Sequence, residues 1–394
     1  MNRAVHEPSL VRGQAGSIQL TVEQRDVDLV AISVCVAGGY LADPVGLPGV
    51  AHLVEHLLFR AEKDIRSRDH VEQLSEIGSM GAANTLPDTT EYWLSGGGDL
   101  LSQLLHNEAS RLRSLDLAAE VIDLEKTTLL QELETDIAIS PLADRGWCRQ
   151  MAAHIESDHS PWHDGFGNAD SMARATRQDL LDYYERWYRG SQIAVHVHAP
   201  DDPQAVIDLA VAAFDGFIDA PAQELELPRA LKETARIVDE IPGQGVRVTV
   251  SSLLPDPVSE PDDYAAHLVL ATLLASEGVP SGVGRHGPLT AGSPDIAMTW
   301  AIAPDLTDAF GLLRQALGTC ATPKVEQWLP AARLRTALTL GLSVDMPVQH
   351  ARLAARGMLL RGDPGWLDTV RSATQRVSQE HVSRAAGRML EALS

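Results

Sequence analysis

The chain has 394 residues, 44% of them hydrophobic, and its 54 acidic against 32 basic side chains give a formal net charge of -22. That length exceeds one ordinary hydrophobic core, so two or more domains are expected. The excess of negative charge repels phosphate and excludes nucleic acid and anionic membrane surfaces as natural partners, leaving neutral or basic peptides.

No apolar run reaches the length of a membrane span, and Met1 to Pro8 lacks the apolar core of a signal peptide, so a cytoplasmic location is expected. Cys35, Cys148 and Cys320 are odd in number and widely spaced, which fits neither a disulfide framework nor a cysteine-based metal site.

In chain order, Leu29 to Val36 alternates apolar and small residues and runs into Gly38-Gly39, the pattern of a strand entering a turn. Pro48 opens a helix, where a missing N–H costs nothing. A charged helix covers about 67 to 77 and a strand Thr89 to Ser95. After Gly96-Gly97-Gly98, Asp99 caps a helix to about Leu112, and a longer helix runs from Leu117 to Ile139. Arg177 to Tyr188 reads as helix, Gln192 to His198 as strand and Asp201 to Phe214 as helix, completing a domain over 1–215.

Residues 216–243 shift to Ala, Pro and Glu, with Pro221, Pro228 and Pro242 as punctuation, and read as a linker. Beyond it, strand Val246 to Leu254, helix Asp262 to Ala275, strand Ile296 to Ala303 and helix Leu306 to Leu317 repeat the earlier order of elements. A second, shortened copy over 244–394 is therefore predicted.

The helix after Pro48 reads Gly49-Val50-Ala51-His52-Leu53-Val54-Glu55-His56-Leu57-Leu58-Phe59. At 3.6 residues per turn His52, Glu55 and His56 share one stripe, so two imidazoles can bind one metal ion while a carboxylate stands beside it. A catalytic zinc takes three protein ligands and leaves its fourth position to water. The long second helix offers Glu125 and Glu132, seven residues apart and so on one face, with Glu134 as a competitor. His196 and His198, two apart on a strand, read most simply as part of an alternating strand at a domain edge, and His154, His159 and His163 as loop residues.

The order His-x-x-Glu-His resembles that of the inverzincin metallopeptidases of the pitrilysin/insulinase type, which include the mitochondrial processing peptidase. The resemblance extends along most of the first domain. Gly78-Ser79-Met80-Gly81-Ala82-Ala83-Asn84-Thr85, with Asp88, Thr90 and Tyr92, is similar to the segment in which that family has an Asn before a channel-lining strand. Glu132, 76 positions after His56, falls where the family places its third zinc ligand, and Glu125 where it places a supporting glutamate. His159-Ser160-Pro161-Trp162-His163, then Asp179-Leu180, Tyr183-Tyr184 and Trp187-Tyr188, are similar to the stretch ahead of its last strand.

The resemblance implies an α+β fold of two related domains, each an antiparallel sheet packed with helices, together half of a clamshell. It implies one Zn2+ per chain held by His52, His56 and Glu132, with Glu55 as general base and Glu125 orienting a histidine. Asn84, Tyr92, Leu94 and Ser95 would bind the peptide substrate as an added strand. The implied activity is that of a zinc-dependent endopeptidase cleaving peptides or leader peptides inside a closed chamber.

Single-chain members of the type carry an Arg and a Tyr in their second domain, within a run like Arg-Gly-Leu-Ala-Tyr. At the matching place this chain has Gly278 to Pro288, glycine-rich and without tyrosine, where Arg285 alone is a candidate remnant. That departure implies a heterodimer with a related zinc-free subunit supplying the Arg/Tyr pair, or else a homodimer. A non-catalytic structural or binding subunit is the competing class. The presence of His52, Glu55, His56 and Glu132 together argues against it.

Overall fold

All seven residues of Val30–Val36 are buried, and a strand apolar on both faces belongs inside a sheet covered on both sides. The computed structural model, which describes residues 10–60, 70–113, 115, 117–139, 143–155, 163, 165–225, 231–292 and 294–394, places it there. The chain begins with β1 (Leu10–Ala15), β2 (Ile18–Gln24) and β3 (Val30–Val36), then α1 (Val50–Phe59), α2 (His70–Glu76), β4 (Met80–Thr85) and β5 (Thr90–Gly96). Next come α3 (Leu101–Arg113), α4 (Ala119–Ile139), α5 (Ala143–Ala152), α6 (Ala169–Arg174), α7 (Arg177–Trp187), β6 (Ile193–Ala199) and α8 (Pro203–Phe214). The remainder holds β7 (Thr234–Ile241), β8 (Gly245–Leu253), α9 (Pro261–Ser276), β9 (Ser281–Val283), β10 (Ile296–Ala303), α10 (Leu306–Cys320), α11 (Leu329–Asp345), α12 (Pro347–Arg361), α13 (Trp366–Arg376) and α14 (Gln379–Glu391).

Two compact units result, one from the described parts of 1–139, 165–225 and 346–364, the other from those of 140–164, 226–345 and 365–394. The first holds a sheet of order β1-β2-β6-β3-β5-β4, antiparallel except for the parallel pair β2 and β6. A parallel pair needs a crossover, and the long helical stretch between these two strands supplies one. The second unit holds an antiparallel sheet of order β7-β8-β10-β9.

The expected duplication is visible in the strand order. β3, α1, β4, β5, α3 and β8, α9, β9, β10, α10 follow one plan, with the last strand of each trio lying between the other two.

Two boundaries differ from the sequence expectation. The stretch read as a linker carries β7, which pairs along β8 from Thr234↔Ser252 to Ile241↔Gly245. As an edge strand with one side in water, β7 mixes Arg236, Asp239 and Glu240 with apolar residues and shows no continuous apolar run. Residues 346–364, expected in the second domain, belong to the first unit, because α12 packs on β3 and β6. The opposite face of that sheet is covered by α1, α3, α7 and α8, whose apolar residues form one core with Val34, Tyr92, Val195 and Val197.

Electrostatics anchors α12. Fully buried Glu91 of β5 receives Arg356 Nε at 2.5 Å and Arg352 Nη2 at 3.2 Å. Arg356 is itself buried. Removing one partner of a buried ion pair strands the other charge. Glu91→Gln is therefore expected to lower unfolding free energy by about 3 kcal/mol, read as a lower denaturant midpoint.

Candidate metal centre

Helix α1 is set in place at its first turn. Gly49, its N-cap, has φ 97°, and a Cβ there would meet the Phe166 carbonyl oxygen at 2.8 Å, so glycine is required. Pro48 thus precedes the cap instead of occupying the first turn. The carboxylate of Asp43 accepts hydrogen bonds from the N–H groups of Gly49 and Ala51, both at 2.6 Å. It satisfies two of the helix's orphan donors, and burial pushes its pKa up to about 8 despite those bonds. Leu53, Val54, Leu57 and Leu58 are fully buried, each contributing roughly 1.5–3 kcal/mol. Their burial fixes the rotation of α1 and turns His52 and His56 toward α4.

Three donors converge there. His52 Nε2 and His56 Nε2 are 3.2 Å apart, and Glu132 Oε2 lies 3.7 Å from the first and 3.5 Å from the second. Tetrahedral zinc with bonds of about 2.0–2.1 Å sets its ligands roughly 3.3–3.4 Å apart. The triangle has the size of one face of such a tetrahedron, and the Glu132 side chain is 47% exposed. Glu134 is exposed and is not one of the converging donors.

Glu125 plays a different part. Nearly buried, it accepts from His56 Nδ1 at 3.1 Å and from Arg60 Nε at 2.9 Å. The bond to Nδ1 fixes the tautomer and ring orientation of His56 and points Nε2 at the other two donors. Burial alone would favour a neutral His56, but the bonds to Glu125 and Glu132 and the charge of Glu55 lift its pKa to about 10. His52 goes the other way, to about 3, through burial and the charge of His56.

Glu55 stands next to the triangle without joining it. Its Oε2 accepts from Thr85 Oγ1 at 2.6 Å, and burial raises its pKa above the usual carboxylate range despite that bond. Thr85, at the end of β4, has no local sequence signal, since it reaches Glu55 only through the fold.

The expected substrate residues separate into two groups. β5 lies between β3 and β4, so both its backbone edges are taken, and Tyr92, Leu94 and Ser95 are buried. The hydroxyl of Tyr92 meets that of Tyr188 at 2.6 Å, and Leu94 sits in the core. These three cannot receive an added strand, which corrects the sequence expectation. Asn84 lies on β4, which among the described residues is the last strand of the sheet.

In the second unit, Arg285 donates from Nη1 to the His163 carbonyl at 3.1 Å. His154, expected in a loop, lies in the turn after α5 and is buried, with Nε2 at 2.7 Å from Ser251 Oγ and Nδ1 at 2.6 Å from the Lys232 carbonyl. Residues 159–162 of the motif around His163 lie outside the described residues.

Residues 20–136 match the family profile described as Insulinase (Peptidase family M16), and residues 174–291 that of the Peptidase M16 inactive domain. The chain is 26% identical over 235 residues to insulin-degrading enzyme-like 1, peroxisomal, of Arabidopsis thaliana, covering 57% of this chain and 22% of that protein. It is 24% identical over 264 residues to a probable mitochondrial-processing peptidase subunit beta of Schizosaccharomyces pombe, covering 65% of this chain and 56% of that one. The chain therefore spans well under two thirds of these relatives. A protease from Helicobacter pylori superposes with TM-score 0.83 at 16% identity over 98% of both chains. Pitrilysin does so with TM-score 0.69 at 15% identity, covering 98% of this chain and 44% of its own.

Because Asp43 caps the helix that carries both histidines, Asp43→Ala is expected to cost about 1 kcal/mol of stability, measured by chemical denaturation. Asp43→Asn should recover part of that loss.

Proposed function

Because this chain belongs to the M16 peptidases of the insulinase type, we propose that it is a zinc-dependent endopeptidase cleaving peptides or leader peptides. The observation that carries this reading is the triangle of His52, His56 and Glu132, of tetrahedral size and partly exposed at Glu132, with a buried carboxylate beside it. Two imidazoles and one carboxylate are a donor set suited to catalytic zinc. Bound there, Zn2+ would supply a Lewis acid for the peptide carbonyl and lower the pKa of water towards neutrality.

The side chains account for the remaining work. Glu125 and Arg60 hold His56 in the orientation that presents Nε2. Thr85 occupies Oε2 of Glu55, leaving Oε1 to take a proton from the attacking water and pass it to the leaving amine. The raised pKa of Glu55 makes it a better base than a solvated carboxylate. The outer edge of β4, carrying Asn84, pairs with the substrate backbone as an added strand.

Among the described residues no helix is long and apolar enough to cross a membrane, and Cys35, Cys148 and Cys320 are buried. The cytoplasm is the location we propose. For assembly we propose a heterodimer enclosing a chamber, with a related zinc-free subunit supplying an Arg/Tyr pair. The support is the absence of a tyrosine from 278–288 and the engagement of Arg285 with a backbone carbonyl in its own unit.

Two measurements test these statements. Glu55→Gln keeps the donor triangle and removes the base, so zinc content should stay at one equivalent while peptide cleavage falls by at least about 10²-fold. Retained turnover would refute the assigned base. The purified chain alone should cleave peptides poorly and gain activity with the related subunit; full activity alone would rule out the heterodimer.

A further inference from the structure

A second group of metal-type donors lies on the face of the first unit's sheet that α12 covers. Strand alternation turns Val195 and Val197 of β6 into the core, so His196 and His198 face the other way. In the parallel register of β2 and β6, Thr21 lies beside His196 and Glu23 beside His198. Helix α12 lays His350 onto the same spot, and all four titratable residues are buried. His196 and His198, read from sequence as part of an alternating strand at a domain edge, are on a strand inside the sheet with two further donors beside them.

The distances repeat those of the candidate catalytic centre. His198 Nε2 and His350 Nδ1 are 3.0 Å apart, and Glu23 Oε2 is 3.6 Å from each. One donor atom from His196 falls within 4.8 Å of the other three. We propose that Glu23, His196, His198 and His350 form a second metal site, a closed four-ligand site for a divalent ion of the zinc class.

Hydrogen-bond accounting supports this more strongly than proximity. The Thr21 hydroxyl donates to the Val195 carbonyl at 3.3 Å, so its oxygen accepts from His196 Nδ1–H at 2.8 Å. That leaves Nε2 of His196 as the bare nitrogen, the form that binds a metal, and it is buried without a hydrogen-bond partner.

At His350 the conflict is sharper. Its Nδ1 faces both His198 Nε2 at 3.0 Å and Arg25 Nη2 at 2.9 Å. An imidazole nitrogen has one in-plane lone pair or one proton. It cannot accept from both neighbours, and if it donates to His198 its own N–H confronts that of Arg25. An ion between His198 and His350 removes the conflict. Arg25 is 27% exposed and can withdraw while keeping its 2.7 Å ion pair to Glu23 Oε1, which leaves Oε2 for the ion. Full burial and four protein donors mark such a site as structural, with no position for water. It would tie α12, which enters the first unit from far along the chain, to β2 and β6.

The test separates the two centres. In the full chain carrying His52→Ala and His56→Ala, freed of metal by chelator, titration with Co2+ should bind one equivalent and give the intense visible absorption of tetrahedral cobalt. The midpoint of thermal unfolding should rise on addition of Zn2+. Adding His350→Gln or His196→Gln should abolish both signals. Absence of Co2+ binding in the parent double variant, or binding that survives both glutamine substitutions in folded protein, would overturn the proposal. Should those variants not fold, anomalous scattering at the zinc edge from wild-type crystals grown with Zn2+ decides it. A peak between Glu23 and the three histidines is expected, and zinc confined to His52 and His56 would refute the site.

Discussion

The arrangement of the first unit depends on how α1 meets α4. One side of α1 is fully buried aliphatic surface and the other bears two imidazoles and a carboxylate, so the helix has only one acceptable rotation. α4 must then present acids to that stripe. Glu125 does so from a nearly water-free position, and a lone carboxylate there would be costly. Arg60 and His56 make it tolerable. In return Glu125 keeps His56 oriented, and Glu132, two turns further along, completes the triangle from the exposed side. The same helix therefore supplies a buried acid that orients and an exposed acid that can ligate, and their environments decide which is which.

Much of this was legible in the sequence because it is local. The stripe His52, Glu55, His56 follows from helical spacing alone, as does the common face of Glu125 and Glu132. Which of those acids ligates does not follow from spacing, since it depends on how deep each sits against α1. Asp43 and Thr85 carried no signal, because an acid six residues before a helix cap and a threonine thirty residues from Glu55 become partners only through the fold. Tyr92, Leu94 and Ser95 were misplaced for a related reason. Alternation identifies a strand but not its neighbours, and strand order decides whether a backbone edge is open.

The face under α12 shows the same limit from another side. Thr21, Glu23, Ser33, Glu91, His196 and His198 are all buried strand residues, and reading polar residues on alternate positions as a solvated face would be natural. What covers them is a helix that begins only at Pro347, far along the chain from Ala199, where the last of these strands ends. Arg352 and Arg356 of that helix neutralise Glu91, and His350 meets the histidines of β6. Buried polar groups of this number specify a partner more tightly than an apolar face would, because a misplaced helix would leave several of them unpaired.

Two triangles of nearly equal size in one sheet-and-helix unit make exposure, rather than ligand type, the property that separates their chemistry. At His52, His56 and Glu132 one vertex is half in solvent, and a second carboxylate, Glu55, stands close to His56 and Glu132. At Glu23, His198 and His350 the vertices are buried and His196 stands over the remaining side. Imidazole and carboxylate are common to both, and so are separations of 3.0 to 3.7 Å. An ion held by the first set would have a partly exposed ligand beside it, whereas one held by the second would be enclosed and would tie strands and helix together. The difference arises from placement: α1 and α4 meet at the rim of the unit's core, whereas β2, β6 and α12 meet inside it.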